Sequence, residues 1–221
     1  MPEVRAARLL WVGAGLAVAG AALWWRRHPS ACPYSQRFWV EAPHPFITRT
    51  RLREILAPAP GSRVLEVGPG TGYYALPVAR WLGPDGRLDV LDLQQEMVDH
   101  TLRRAAEEGI SNIHGVRADA REMPFADDSF DAAYLVTVLG EIPDQTAALR
   151  ELRRVVKPRG PIVVGELFGD PHMVTPRALR NRAAETGLEV EHMLGGRLWH
   201  FTRLRMRISN GEGGIRTLEA V

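Results

Sequence analysis

The 221-residue sequence is poor in two reactive residue types, since it has one cysteine, Cys32, and one lysine, Lys157. A single cysteine excludes an internal disulfide and a metal site built from several cysteines, and it is consistent with a reducing, cytosol-facing compartment. No constellation of metal ligands is evident elsewhere in the chain. Over residues 41–200, 19 basic residues face 23 acidic ones. This balance argues against a nucleic-acid partner, because the phosphate backbone is itself negative.

The glycine-rich stretch at residues 66–72 lacks one glycine of the dinucleotide-binding fingerprint. An apolar run, Val64–Val67, enters it and a helical pattern, Tyr73–Leu82, leaves it, which predicts a strand, a turn and a helix. Such a turn exposes main-chain N–H groups to a ligand at the positive end of the helix. The dinucleotide fingerprint expects a glycine where this chain has Tyr73. The spacing therefore favours a nucleotide-type pocket that does not hold a dinucleotide.

Downstream of this turn, predicted strands and helices alternate up to a fifth strand near residues 161–165. Two further strands, 188–194 and 198–208, flank a turn that predicts a hairpin. The pattern predicts an α/β fold with a doubly wound, mostly parallel sheet and a ligand site at the carboxyl ends of its strands. Four acidic residues fall at such ends: Asp92, Asp119, Glu141 and Glu166.

The amino-terminal region contains seventeen uncharged residues, 9–25, between basic flanks. We interpret residues 1–28 as a membrane anchor helix, single-pass or peripheral, with a cytoplasmic catalytic domain. A cleaved signal peptide and a helix lying on the membrane surface are the alternatives. We divide the rest into a connector at 29–45, a catalytic domain at 46–208 and a flexible tail at 209–221. The sequence does not indicate an oligomeric state.

Four segments, taken in order, resemble one enzyme superfamily. They are Val64–Gly72 with its acidic residue before the glycines, Asp119–Phe125, Phe130–Tyr134 and Leu152–Gly160. Together with the final hairpin, they make residues 46–208 resemble the class I S-adenosylmethionine-dependent methyltransferases. The resemblance implies a Rossmann-like sheet of seven strands whose last strand is antiparallel. It also implies S-adenosylmethionine as the cofactor and methyl transfer to a small or lipid-like acceptor at the membrane surface.

The resemblance assigns cofactor contacts to nine residues. Glu66, Gly68, Gly70 and Gly72 would hold the methionine part, Asp92 the ribose, Leu93 the adenine face, Asp119 with Ala120 the adenine edge, and Thr137 the methyl end. A carboxylate suits a ribose diol independently of the resemblance, because its two oxygens accept from two hydroxyls.

Simpler interpretations remain open at several of these positions. Asp92 is alternatively a solvated carboxylate at a strand end, and Asp119 alternatively caps a turn. The candidate acid–base groups are Glu141, Glu166, His44 and His172, of which an isolated histidine is more often structural. A nucleotide-binding oxidoreductase and a non-catalytic ligand-binding protein remain the functional alternatives.

The acceptor side of the pocket lacks a large insertion, since only one predicted helix separates the fourth and fifth strands. A cover for the pocket must therefore come from elsewhere in the chain. We hypothesise that the aromatic connector segment 34–46 forms part of that cover and delivers an apolar acceptor.

Overall fold

The computed structural model describes Gly20, residues 29–38 and residues 44–207. Within these residues the strands are β1 Arg63–Val67, β2 Arg87–Asp92, β3 Ile113–Arg117, β4 Ala132–Val136, β5 Ile162–Leu167, β6 Leu188–Gly195 and β7 Trp199–Met206. The helices are α1 Arg49–Leu56, α2 Ala75–Leu82, α3 Gln95–Glu107, α4 Gln145–Val155 and α5 Pro176–Glu185. Short 3₁₀ turns occupy Tyr34–Gln36 and Leu139–Glu141.

The strands form one seven-stranded sheet in the order β3-β2-β1-β4-β5-β7-β6. Strands β1 to β5 are parallel, and β7 is antiparallel to both β5 and β6. The strand order reverses between β1 and β4, which leaves a crevice at their carboxyl ends. The predicted Rossmann-like sheet with an antiparallel last strand is thus confirmed.

The two faces of the sheet are covered by different helices. Val64 packs with α1 and α2, whereas the next residue of the same strand, Leu65, packs with α4 and α5. Successive residues of a strand point to opposite faces, so a strand buried on both sides reads as a continuous apolar run. Helix starts are fixed locally, for example by Asp144, which accepts from the N–H of Ala147 at the start of α4.

Strand β7 combines a buried face with alternating arginines. Arg203 donates to Glu191 at 2.7 Å and Arg205 donates to Glu189 at 2.8 Å, both across to the edge strand β6. The arginines are therefore paired within the sheet, where the exposed surface makes each such pair worth less than about 1 kcal/mol.

The structure corrects the predicted localisation. Among the described residues, no helix is both long and apolar enough to cross a membrane. The longest, α3, has 13 residues and carries charges, whereas a span needs about 20 apolar residues. The prediction of a membrane localisation is wrong for this part of the chain and is withdrawn. Apart from Gly20, the proposed anchor at residues 9–25 lies outside the described residues, as does the tail at 209–221.

Candidate active site

A cavity of ≈ 360 Å³ opens at the carboxyl ends of β1, β2 and β4. This is the crevice where the strand order reverses, the position at which open α/β sheets bind ligands. Eight residues singled out in the sequence line it: Gly68, Gly70, Asp92, Leu93, Asp119, Ala120, Thr137 and Glu141. The topology thus gathers residues that lie up to 73 positions apart in the chain around one cavity.

The glycine loop after β1 forms the floor of the cavity. Gly68 and Gly70 have φ of 69° and 56°, in the left-handed region that glycine adopts without strain. A Cβ atom on Gly68 would lie 2.4 Å from Val138 Cγ2 on the opposite wall. From below, Thr101 of α3 donates to the carbonyl of Gly70 at 3.1 Å. The loop is consequently held in one shape with its bare backbone towards the cavity.

Asp92 and Leu93 occupy the turn after β2. Asp92 Oδ1 accepts from the N–H of Gln94 at 2.9 Å. Burial raises the pKa of Asp92 to about 6, against the lowering effect of the backbone N–H groups of Gln94 and Leu93. The Leu93 side chain lies on the cavity wall with 55% of its surface exposed. A buried carboxylate therefore stands beside an uncovered apolar surface.

Asp119 lines the cavity but already has a partner. Its two oxygens accept from Arg121, through the side chain at 2.7 to 3.1 Å and through the backbone N–H at 2.8 Å. These bonds lower the pKa of Asp119, with the arginine side chain as the main cause. Asp119 therefore caps the turn at Arg121, which is one of the two roles that the sequence left open. A ligand that binds Asp119 would have to share these two oxygens with Arg121.

The far wall of the cavity follows β4. Thr137 has φ of 56°, a left-handed conformation that is strained for a β-branched residue. Glu141 lines the same wall, and its Oε2 accepts from the backbone N–H of Cys32 at 3.2 Å. Burial raises the pKa of Glu141 to about 8, helped by the nearby charges of Asp170 and Asp92. Glu141 is thus an ionisable group that is largely neutral at pH 7.

Residues 29–32 form part of the cavity wall, although the sequence did not predict that they would line it. Residues Pro29 to Cys32 line the cavity, upstream of the segment 34–46 that we expected to cover it. Gln94, directly after Leu93, also lines the cavity and contacts this segment. The position of the connector could not be predicted from its sequence. It is rich in proline and has no hydrophobic periodicity, so no local pattern indicates where it packs.

Five of the predicted residues do not line the cavity, namely Glu66, Gly72, Glu166, His44 and His172. Glu66 is buried beneath the loop, and burial raises its pKa to about 8. Glu166 is buried at the end of β5, where its Oε2 accepts from the N–H of Val174 at 3.1 Å and burial raises its pKa well above the usual range. A Cβ on Gly72 would meet Leu76 and Thr101.

The two candidate histidines also lie elsewhere. The ring of His44 packs edge-on to Tyr73, with ring centroids 5.3 Å apart. His172 donates its backbone N–H to Asp170 at 2.7 Å, and a Cβ on Gly140 would lie 1.8 Å from the His172 carbonyl oxygen. Within the described residues, no group of three or more His, Cys, Asp or Glu side chains is arranged to hold a metal ion.

Comparison with known proteins relates part of the chain to methyltransferases. Residues 64–160 match the family model described as a methyltransferase domain. A crystal structure of a SAM-dependent methyltransferase from Aquifex aeolicus has the same fold, with a TM-score of 0.72 at 20% identity, covering 80% of this chain and 100% of that one. The matched residues span the strands and loops that form the cavity floor and both walls.

The chain is also similar to two methyltransferases whose names refer to quinones. It is similar to a demethylmenaquinone methyltransferase of Bacillus velezensis, 35% identical over 126 residues that make up 55% of this chain and 54% of the relative. It is similar to a ubiquinone/menaquinone biosynthesis C-methyltransferase of Vibrio campbellii, 37% identical over 113 residues, 51% of this chain and 43% of the relative. The chain thus spans about half the length of these relatives.

The cofactor that this resemblance implies is S-adenosylmethionine, and the cavity suits it chemically. Asp92 offers carboxylate oxygens where a diol would lie, Leu93 offers an uncovered apolar face, and the loop at Gly68 and Gly70 offers bare backbone. A cavity of ≈ 360 Å³ also lies within the range of about 300–1,000 Å³ that is usual for small-molecule sites.

Proposed function

We propose that this chain is an S-adenosylmethionine-dependent methyltransferase that acts on a small organic acceptor. The observation that carries the proposal is the cavity at the strand reversal, where the glycine loop, Asp92 and Leu93 meet on one wall. The loop offers main-chain groups, Asp92 offers carboxylate oxygens and Leu93 offers an apolar face. These three chemistries suit the methionine part, the ribose and the adenine of one ligand.

Within this proposal, the loop at Gly68 and Gly70 holds the methionine part of the cofactor and Asp92 accepts from the ribose hydroxyls. Leu93 packs on the adenine face, with Asp119 and Ala120 at its edge. Thr137, whose backbone is strained, lies at the methyl end. Glu66 and Gly72 act from beneath the loop, since neither lines the cavity.

When bound, S-adenosylmethionine supplies a methyl group on a positively charged sulfur. The main tasks of the protein are then to orient the acceptor and to exclude water. Glu141 lines the opposite wall, so we assign to it the proton that an acceptor hydroxyl or ring carbon releases on methylation. A carboxylate accepts that proton, which requires the ionised form of a group whose pKa is about 8.

The acceptor class follows from the relatives rather than from the cavity. Both are quinone methyltransferases by name, and the matched region here contains the β4 wall that carries Glu141. We therefore propose a quinone-like acceptor with an ionisable ring hydroxyl. Its reduced form is the reactive one, since the ring carbon of a hydroquinone is electron-rich and that of a quinone is not.

The cofactor assignment is tested by calorimetric titration. We expect S-adenosylmethionine and S-adenosylhomocysteine to bind with one site per chain, while NAD and NADP give no heat of binding. Binding of a nicotinamide cofactor without binding of S-adenosylhomocysteine would refute the proposal in favour of an oxidoreductase.

The acceptor is tested by incubating the protein with methyl-labelled cofactor and short-chain demethylmenaquinone, both oxidised and chemically reduced. We expect label in the reduced quinone only. Cofactor binding without labelled product from this acceptor or from a total metabolite extract would indicate a non-catalytic protein.

A further inference from the structure

The segment at residues 29–36, called the strap below, crosses the mouth of the cavity. The backbone of Cys32 is bound on both sides, since its N–H donates to Glu141 Oε2 at 3.2 Å and its carbonyl accepts from Gln94 Nε2 at 2.9 Å. Glu141 follows β4 and Gln94 follows β2, and these strands flank β1 in the sheet. The strap therefore bridges the two walls above the glycine loop of β1.

Gln94 grips the strap with both ends of its amide. Besides the bond to Cys32, Gln94 Oε1 accepts from the N–H of Tyr34 at 3.0 Å. Gln94 stands at the position before α3 where a side chain usually caps the helix, yet it makes no capping bond. Its amide is committed to the strap, and the Tyr34 hydroxyl adds a bond of 3.0 Å to His100 Nδ1 on the same helix.

The same residue contacts the carboxylate that we assign to the cofactor ribose. The backbone N–H of Gln94 donates to Asp92 Oδ1 at 2.9 Å. Gln94 thus holds the strap through its side chain and Asp92 through its backbone N–H, so the strap and Asp92 keep a fixed relative position. Displacing the strap shifts the turn at residues 92–94 through a path of two hydrogen bonds.

The strap is attached mainly by hydrogen bonds, with one ring contact between Tyr34 and His100, whose centroids lie 5.8 Å apart. None of residues 29–38 is buried, and each hydrogen bond contributes only about 1 kcal/mol net. Elements held this way open at low free energy while the core stays folded. Because Pro29 to Cys32 form a wall of the cavity, a ligand that fills the cavity lies directly against this segment.

We propose that the strap is the closing element of the cofactor cavity and that Gln94 is the positioning residue that latches it over Asp92. The inference rests on the proposed function, because the ligand whose exchange it controls is the methyl donor. The rate of cofactor release is then set by the bonds between Gln94 and the strap.

The decisive variant is Gln94→Glu, which keeps the shape and the acceptor for Tyr34 but replaces the donor to Cys32 by a negative oxygen. Gln95→Glu is the matched control, since it adds the same charge one residue away and Gln95 contacts Asp99 rather than the strap. In stopped-flow measurements at pH 8 we expect S-adenosylhomocysteine to leave the Gln94→Glu protein about tenfold faster, equivalent to about 1.4 kcal/mol. The control stays within about twofold of the parent.

The pH dependence separates a latch from general damage. When the introduced carboxyl is protonated it donates again to the Cys32 carbonyl, so the ratio of variant to parent release rates falls towards one as the pH is lowered to about 4, below the ordinary glutamate pKa. A ratio that stays constant with pH would overturn the latch. Thermal midpoints of all variants are compared with the parent at each pH.

Cys32 provides a second readout that needs no cofactor, because it is the single cysteine of the chain. Burial raises the pKa of its thiol, and Glu141 and Asp170 add to this effect, so alkylation by N-ethylmaleimide is slow while the strap is closed. We expect faster alkylation in Gln94→Glu than in Gln95→Glu, and slower alkylation of the parent once S-adenosylhomocysteine is added.

The outcomes distinguish the two proposals. Equal alkylation rates in Gln94→Glu and Gln95→Glu overturn the latch whether or not a cofactor binds. Failure of S-adenosylhomocysteine to bind the parent overturns the proposed function, while the alkylation comparison still decides whether Gln94 holds the strap. Should Gln94→Glu not fold, Tyr34→Phe removes only the bond to His100 and is expected to speed release about threefold, in line with one weak hydrogen bond; an unchanged release rate would contradict the proposal.

Discussion

The two walls of the cavity are built on different principles. The wall after β1 and β2 consists of backbone at Gly68 and Gly70, one carboxylate and one apolar side chain, all within 26 residues of the sequence. The wall after β4 carries Glu141, and behind it lie Glu166 and Asp170, whose pKa values are raised by burial. The first wall is mostly backbone with one titratable carboxylate, Asp92, whereas the second carries a cluster of buried acids.

The difference indicates how binding and chemistry are divided. Backbone groups and a short loop recognise one ligand in one orientation, because they have few alternative conformations. A cluster of acids that raise each other's pKa values can instead exchange a proton with the acceptor near neutral pH. Variants on the first wall should therefore change cofactor affinity, and variants on the second should change the pH dependence of turnover.

The largest effect is expected for Gly68→Ala. The added Cβ would lie 2.4 Å from Val138 Cγ2, and the backbone φ of 69° is unfavourable for alanine. Strain and clash together cost about 3 kcal/mol or more, so we expect S-adenosylhomocysteine affinity to fall more than about a hundredfold by calorimetry. Gly61→Ala is the control, since its φ is 80° but nothing lies within 4 Å. Equal affinities of the two variants would show that the loop does not need its close approach.

Asp92→Asn should weaken cofactor binding by about ten- to a hundredfold, as expected for losing hydrogen bonds to a charged acceptor. Because the pKa of Asp92 is about 6, the parent binds the cofactor through the ionised form and loses affinity as the pH falls below 6. The variant has no such group, so its affinity stays flat from pH 5 to 8. Asp99→Asn, on the exposed side of α3, serves as the control. Parallel pH curves for parent and Asp92→Asn would remove Asp92 from the ribose site.

The smallest effect at neutral pH is expected for Glu141→Gln, because a group whose pKa is about 8 is only about one-tenth ionised at pH 7. In the parent, kcat/KM for reduced demethylmenaquinone should rise with pH up to about 8, and the variant should lose this rise while binding the cofactor normally. Glu166→Gln is the same change in a buried acid off the cavity wall, so it should keep the rise. Loss of the rise in both variants, or in neither, would contradict the assignment of Glu141.

The fold was largely predictable from local patterns. The glycine turn, the strand-end carboxylates and the final hairpin each depend on residues close in sequence, and the parallel sheet then brings Asp92, Asp119 and Glu141 to one edge. Element ends differed by a few residues, as at β5, which covers 162–167 rather than the expected 161–165.

The cover of the cavity was not predictable in detail. Its attachment depends on Cys32 meeting Gln94, 62 residues away, and Glu141, 109 residues away. A proline-rich segment has no periodicity that records such partners. In the same way, the burial that raises the pKa of Glu141 arises only when the strap and the loop around Asp170 lie beside it.

The sequence by itself determined the order of strands and helices, the glycine loop and the carboxylates at the strand ends, because these depend on short-range backbone preferences and hydrophobic periodicity. Only the tertiary structure decided which carboxylates reach the cavity, which are buried and neutral, and which segment closes over them. Those properties depend on desolvation and on hydrogen bonds between distant segments, and neither is encoded in any local stretch of the chain.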